Sequence, residues 1–177
     1  MLSLLDLRRC DEAIDWMHCH TTADAAGTWR ESWRALERAY AEGRVLSVGV
    51  SNFNVALLEE LRIEVAAVLP HVIQNWAEPG QLDLSVRAWC DQYSVLYQPY
   101  APLRNIQFLP ERVRELLQVI VHREDVSEHD VVLQFFLQTD ALVIPRSSSW
   151  DHLQRNMRNL SFLIPSSEMK ELGWEFE

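Results

Sequence analysis

Hydrophobic positions in this chain follow two patterns that alternate along it. Short apolar runs rich in β-branched residues read as strands, and stripes at three- and four-residue spacing read as helices. Residues 2–10, with Leu2, Leu5 and Leu7 among charges, read as the tail of an amphipathic helix. Ala13 to Cys19 reads as a strand with His20 at its tip. Trp29, Trp33, Leu36 and Tyr40 follow at i, i+4, i+7 and i+11, one face of a helix that Gly43 can end. Val45 to Val50 suits a strand covered on both faces, and it runs into the polar pair Ser51 and Asn52. Asn54 can then cap a helix whose apolar positions are Leu57, Leu58 and Leu61.

The alternation continues to the end of the chain. Val68 to Gln74 is a third strand, with a helix from about Asp83 to Tyr93 behind it. Ser94 to Gln98 is a fourth, running into Tyr100-Ala-Pro-Leu103. Pro110 opens a helix with Val113, Leu117 and Ile120 or Val121 on one face. Ser127-Glu-His-Asp130 fits a capping box in front of an apolar helix through Leu133, Phe136 and Leu137. Ala141 to Ile144 is the fifth strand, before Pro145-Arg-Ser-Ser-Ser149 and a helix containing Leu153 and Met157. Ser166 is placed to cap a last short helix through Met169 and Leu172.

Strands separated by helices imply parallel βα units in a single α/β domain over residues 1–177. Strand, polar tip, helix is the repeating unit of a (β/α)8 barrel, which carries its chemistry at the strand tips. A closed barrel has eight strands and takes roughly 250 residues. With five strands, the chain is expected to form a partial barrel about three units short.

Composition narrows the function classes. Hydrophobic residues make up 48% of the chain and charged residues 24%, the balance of a chain with a packed core. A net charge of −10 argues against nucleic acid and anionic membranes as partners, while leaving room for a local basic pocket among the arginines near residue 150. No apolar run approaches the roughly 20 residues of a membrane span, and Met1 to Glu12 carries no signal-peptide core. Cys10, Cys19 and Cys90 are odd in number and far apart, so no disulfide framework is expected, and the reading is cytoplasmic. His18 and His20 share a face of a regular strand, but two ligands make no metal site. Of the 16 basic residues only Lys170 is a lysine.

Five stretches together carry a family resemblance. Ile14-Asp-Trp-Met-His-Cys-His20 is similar to a strand of the type Asp-Leu-Tyr-Leu-Ile-His, and Gly49-Val-Ser-Asn-Phe53 matches a family motif without a change. Pro70-His-Val-Ile-Gln-Asn-Trp-Ala-Glu-Pro79 keeps the spacing of Pro-x-Val-Asn-Gln-x-Glu-x-His-Pro. Tyr100-Ala-Pro-Leu103 and Val143-Ile-Pro-Arg-Ser147 resemble Tyr-Ser-Pro-Leu and Val-Ile-Pro-Lys-Ser. In this order, they make the chain resemble the C-terminal portion of an aldo-keto reductase, about strands 4–8 of a TIM barrel that uses NADPH. Taken one at a time, each motif has an ordinary structural explanation as a cap, a turn or a solvated charge.

The resemblance implies roles for individual residues. Ser51, Asn52 and Gln74 would hydrogen-bond the nicotinamide carboxamide, which offers one carbonyl and one NH2 group. Tyr100 would stack on the nicotinamide ring. Arg146 and Ser147 stand where the family's Lys and Ser hold the 2′-phosphate of NADP, and a guanidinium binds phosphate with two parallel hydrogen bonds. Asn156 matches the residue at adenine, and His20 the histidine that orients the carbonyl of a small aldehyde or ketone. Two positions depart from the family pattern. His152 replaces a second phosphate-binding Arg, and Arg155 replaces a Glu beside the adenine. With Asn75 and Trp76 after Gln74, an altered dinucleotide pocket is expected.

The family's acid is a Tyr whose pKa is lowered by a Lys that an Asp pairs, because a tyrosine near pKa 10 is a poor acid at neutral pH. Those residues belong to the first three βα units. Lys170 lies in the tail, and Tyr40, Tyr93 and Tyr97 lie within helices or a strand body. The 177 residues alone are therefore expected not to reduce carbonyls. The alternative is a catalytically dead remnant acting as a nucleotide-binding or protein-interaction module. An open sheet would also expose edges that a partner chain could cover. Trp174 and Phe176 suit either a lid remnant or a packed apolar tail.

Overall fold

Left-handed helix ends decide where the strands of this protein begin. The structure, a computed structural model, describes residues 17–18, 28–157 and 161–174. Helix α1 (Thr28–Ala41) closes on Gly43 at φ 71°, with the Arg44 N–H donating to the Ala39 carbonyl (2.9 Å) and the Gly43 N–H to that of Tyr40 (3.0 Å). That is a Schellman end, in which glycine adopts a left-handed conformation without a Cβ penalty. The chain then needs Val45–Val48 to return to the sheet, so strand β2 is Gly49–Ser51 rather than Val45 to Val50. Leu46, expected inside that strand, is 70% exposed.

The other strands also begin downstream of their sequence-based positions. Strand β3 is Val72–Trp76 instead of Val68 to Gln74, because Pro70 has no N–H to donate to a ladder. Helix α3 (Leu84–Tyr93) ends at left-handed Ser94 (φ 55°), and the Val95 N–H still bonds back to Cys90. Strand β4 is accordingly Leu96–Tyr100, not Ser94 to Gln98. Asp140 (φ 53°) ends helix α5 (Glu128–Leu137) in the same way, with Ala141 bonded back to Phe136. The expected strand Ala141 to Ile144 is thereby reduced to a single parallel bridge between Tyr100 and Ile144.

The chain divides into two compact units, with β3, α3 and β4 contributing residues to both. The first runs to Gln74 and takes in Ser85–Leu96. Its strands pair in parallel: β1 (Met17–His18) sets Met17 against Val50 and His18 against Ser51, and β2 sets Gly49, Val50 and Ser51 against Val72, Ile73 and Gln74. The Leu96 N–H donates to the His71 carbonyl (3.0 Å), so β4 opens beside β3. Asn54 caps helix α2 (Val55–Glu60) by accepting the Leu57 N–H (2.9 Å), and a π turn, Leu61–Val65, extends it. Trp33, Val50, Phe53, Leu58, Leu61 and Ile73 are fully buried and form the core of this unit. Glu37 of α1 fastens the α2–β3 loop by accepting the Ala67 and Val68 N–H groups (2.6 and 2.9 Å).

The second unit takes Asn75–Leu84 and everything from Tyr97 onward. Helix α4 (Glu111–Glu124) buries Val113, Leu117 and Ile120 and packs on α5 and α7 (Ser166–Glu171). The capping box is present: Asp130 accepts from the Ser127 N–H (2.9 Å), and Ser127 accepts from the Asp130 N–H (3.3 Å). Phe135 and Phe136 are fully buried, whereas Leu137, expected on the apolar face, is 53% exposed. Helix α6 (Trp150–Asn156) leaves Met157 exposed at its end. Pro165, not Ser166, occupies the N-cap of α7, which buries Met169 ahead of the buried Leu172. The Gln138 amide stands in for a ladder partner, accepting the Ile164 N–H (2.8 Å) and donating to its carbonyl (3.0 Å). No described helix is long and apolar enough to cross a membrane.

One carboxyl in this unit is held against its preference. Among the described residues Glu78 has a buried oxygen without a hydrogen-bond partner, and burial pushes its carboxyl above the usual range despite a bond with Asn105. A carboxyl raised in this way stabilises the fold fully only below its unfolded pKa, and the contribution is lost as pH rises through the folded value. Glu78→Gln is therefore expected to raise Tm at pH 7, with the gain vanishing below the ordinary value of 4.5. Melting scans across that range check it, and a variant less stable at pH 7 would show that the charged form is the favoured one.

Candidate functional site

In the first unit the tip of β2 is fastened to β3 by side chains as well as by the ladder. The Ser51 hydroxyl, fully buried, donates to the Gln74 carbonyl (2.7 Å), and the Asn52 N–H donates to the same oxygen (3.1 Å). Asn52 takes a left-handed conformation (φ 61°), which its short polar side chain tolerates. The residues flanking the Ser51–Asn52 pair are set by packing: Val50 is fully buried, and Phe53 meets the edge of Trp29 at 5.3 Å. Ser51, Asn52 and Gln74 are thus brought together at one end of the paired strands. Because Ser51 has only one proton and uses it on Gln74, its oxygen can serve a ligand as an acceptor alone.

In the second unit β4 ends at Tyr100, which pairs in parallel with Ile144. Ala101 turns the chain in a left-handed conformation (φ 54°), and the Arg104 N–H closes that turn on the Ala101 carbonyl (3.1 Å). This turn, the start of α5 and the segment 145–156 line one cavity of about 640 Å³. Arg146, Ser147 and Asn156, singled out in the sequence, all line it, as do the two departures His152 and Arg155. Arg104 and His129 line it too and were not singled out. Arg104 stands one residue past the Tyr-Ala-Pro-Leu motif, and only folding brings His129 to the same concavity.

The charge in this cavity is one-sided. Three arginines and two histidines face it against a single carboxylate, Asp130. That carboxylate is already engaged by the Ser127 N–H and by the Ser127 hydroxyl (2.6 Å). Among the described residues Arg104, Arg146 and Arg155 have no ion pair. The Ser147 hydroxyl sits in a local turn, accepting the Ser149 N–H (3.1 Å). Unpaired guanidinium groups around a concavity attract a polyvalent anion, and phosphate suits their planar geometry.

The remaining expected residues fall elsewhere. Asn75 is directed to Asp83, donating to its carboxylate (2.7 Å). His20, the residue assigned to the substrate carbonyl, lies outside the described residues, as does Phe176. Tyr40 is on α1, Tyr93 on α3 and Tyr97 in the body of β4, while Lys170 is exposed on α7.

The model of the aldo/keto reductase family matches residues 3–173. Glyoxal reductase of Bacillus subtilis is 29% identical over 144 residues, 81% of this chain and 51% of that protein. The 2,5-diketo-D-gluconic acid reductase B of a Corynebacterium species is 28% identical over 163 residues, 92% of this chain and 57% of its own length. A variant of Gox0644 crystallised in complex with NADPH superposes with a TM-score of 0.76 at 26% identity, covering 90% of this chain and 57% of that one. The chain spans about half the length of the curated relatives it matches. With a family model across nearly all of its residues and neighbours of the same barrel fold, the chain belongs to the aldo/keto reductase family.

Proposed function

We propose that this chain is the dinucleotide-binding portion, about strands 4–8, of an NADP-dependent oxidoreductase acting on a small aldehyde or ketone. The observation that supports it most is the cavity of the second unit, where Arg146, Ser147, Arg155 and Asn156 converge with no free carboxylate among them. Arg146 and Ser147 hold the 2′-phosphate, with Arg155 supplying the second guanidinium. Asn156 binds the adenine, Tyr100 stacks on nicotinamide, and Ser51, Asn52 and Gln74 take its carboxamide. His20 orients the substrate carbonyl. When bound, NADPH supplies the hydride. The 26% identity to a neighbour crystallised with NADPH supports the choice of nucleotide.

A second reading rests on one observation. Among the described residues no tyrosine is joined to Lys170, the sole lysine, which is exposed on α7. A chain of these 177 residues would then bind nucleotide without turnover. The half-exposed Leu142 and Ile144 also support an edge for a further strand to cover. Titrating the 177-residue chain with NADPH and NADH, followed by tryptophan fluorescence, tests the nucleotide assignment. NADPH is expected to bind about tenfold tighter or better, with 2′-AMP competing. Equal affinities, or no binding of either, would remove it. A carbonyl-reduction assay on the same sample separates the two readings.

A further inference from the structure

Ser147 and Ser149 are committed to each other. The Ser147 hydroxyl donates to the Ser149 carbonyl (3.3 Å) and accepts the Ser149 N–H (3.1 Å). Ser148, between them, is not tied in this way. It is exposed at a bend outside any helix or ladder, and its hydroxyl makes no hydrogen bond among the described residues. It nevertheless lines the same cavity as Arg104, Arg146 and Arg155, none of which has an ion pair among the described residues. The one carboxylate there, Asp130, is engaged by the Ser127 N–H and hydroxyl (2.9 and 2.6 Å). An unengaged, solvent-facing hydroxyl therefore stands at the rim of a concavity whose charge calls for an anion.

We propose that Ser148 is a phosphorylation site, and that its phosphate docks in the arginine cavity and excludes the 2′-phosphate of the dinucleotide. The inference rests on the nucleotide reading above. In the transfer the Ser148 oxygen bonds to the terminal phosphorus of ATP, the bond from that phosphorus to ADP breaks, and the hydroxyl proton passes to the kinase and then to solvent. The segment 145–149 carries no helix or ladder that a kinase cleft would have to unfold, and Arg146 stands two residues ahead of the acceptor, a charge pattern that kinases read. Phosphoserine brings a charge of about −1.5 to −2 and three acceptor oxygens. A guanidinium takes such a group through two parallel hydrogen bonds. Being tethered, the phosphate meets the arginines at an effective concentration on the order of millimolar, so it competes continuously with free nucleotide. The same guanidinium groups cannot serve both. NADH, which has no 2′-phosphate to exclude, loses less.

The test uses the full chain with phosphoserine introduced genetically at position 148. It is expected to bind NADPH and 2′-AMP about tenfold more weakly than the parent, or worse. Ser148→Gln, bulkier than serine but neutral, should bind both like the parent. A second readout needs no nucleotide: by phosphorus NMR the phosphoserine should lose its second proton at lower pH in the folded chain than in urea, and Arg146→Ala should move that step back up. The parent, incubated with ATP and an arginine-directed serine kinase, should take up one phosphoryl group at Ser148; uptake at other residues only, or none, overturns the site. NADPH affinity equal to the parent's overturns the inhibitory role and leaves the nucleotide reading standing. A phosphoserine that titrates in the folded chain as it does in urea overturns the docking, and equal weakening by Ser148→Gln reduces the effect to bulk. If the parent binds neither NADPH nor 2′-AMP, the nucleotide reading falls and the proposal falls with it.

Discussion

Arg146→Ala is expected to lower NADPH affinity by roughly thirtyfold while leaving NADH within about twofold, the size of a charge-assisted contact to a phosphate. Arg146 lines the cavity without an ion pair among the described residues, so its removal strands no buried carboxylate and leaves the fold intact. It is also exposed, which is why the expected loss sits in the middle of the range for charged contacts rather than at its top. The measurement is a pair of titrations, NADPH and NADH, on parent and variant at one ionic strength. Salt must be fixed, because screening weakens an exposed charge contact. Equal losses for the two nucleotides would take the 2′-phosphate away from Arg146 and leave Arg155 as the next residue to examine.

The second large effect concerns the fold that carries the Ser51–Asn52 tip. Gly49 is paired with Val72 in the parallel ladder, and a Cβ at position 49 would lie 2.6 Å from the Val72 carbonyl oxygen and 2.7 Å from its Cγ1. The oxygen belongs to backbone and cannot swing aside, so Gly49→Ala must push β2 from β3. A loss of about 2–3 kcal/mol is expected, the upper range of overpacking. Urea unfolding monitored by circular dichroism measures it. Gly43→Ala provides the contrast: its φ of 71° strains an alanine, but nothing lies within 4 Å. That cost should stay near 1 kcal/mol. If Gly49→Ala costs no more than Gly43→Ala, the contact with Val72 does not constrain the register. The family motif therefore begins with glycine for a reason of close approach, quite apart from any ligand.

Much of this was legible in the sequence, and apart from β3, where Pro70 decides, the misplaced strand starts share a cause. The stripe Trp29, Trp33, Leu36, Tyr40 and the faces of α2 and α4 follow from helical spacing alone. So does the capping box at Ser127, whose residues act on their own backbone. A hydrophobic residue after a left-handed cap looks, in sequence, like the first residue of a strand. Val95 and Ala141 instead bond back to the preceding helix. Of these caps only Gly43 announces itself by residue type, while Ser94 and Asp140 take φ values near 55° with ordinary side chains. Arg146, Ser147 and Asn156 could be found because they lie within one short segment. Arg104 and His129 reach the same cavity from segments far apart in sequence, and no local pattern reports that convergence.

The way Asp130 is tied into its own helix start has a kinetic consequence. This chain carries a net charge of −10, so a polyanionic nucleotide meets repulsion at a distance. Within about 8 Å, the Debye length at physiological salt, three arginines without an ion pair among the described residues face one engaged carboxylate. Such a cavity does little to hasten arrival. If the nucleotide binds here as proposed, the cavity is expected to act by lengthening its stay, with selection among nucleotides made in the rate of departure.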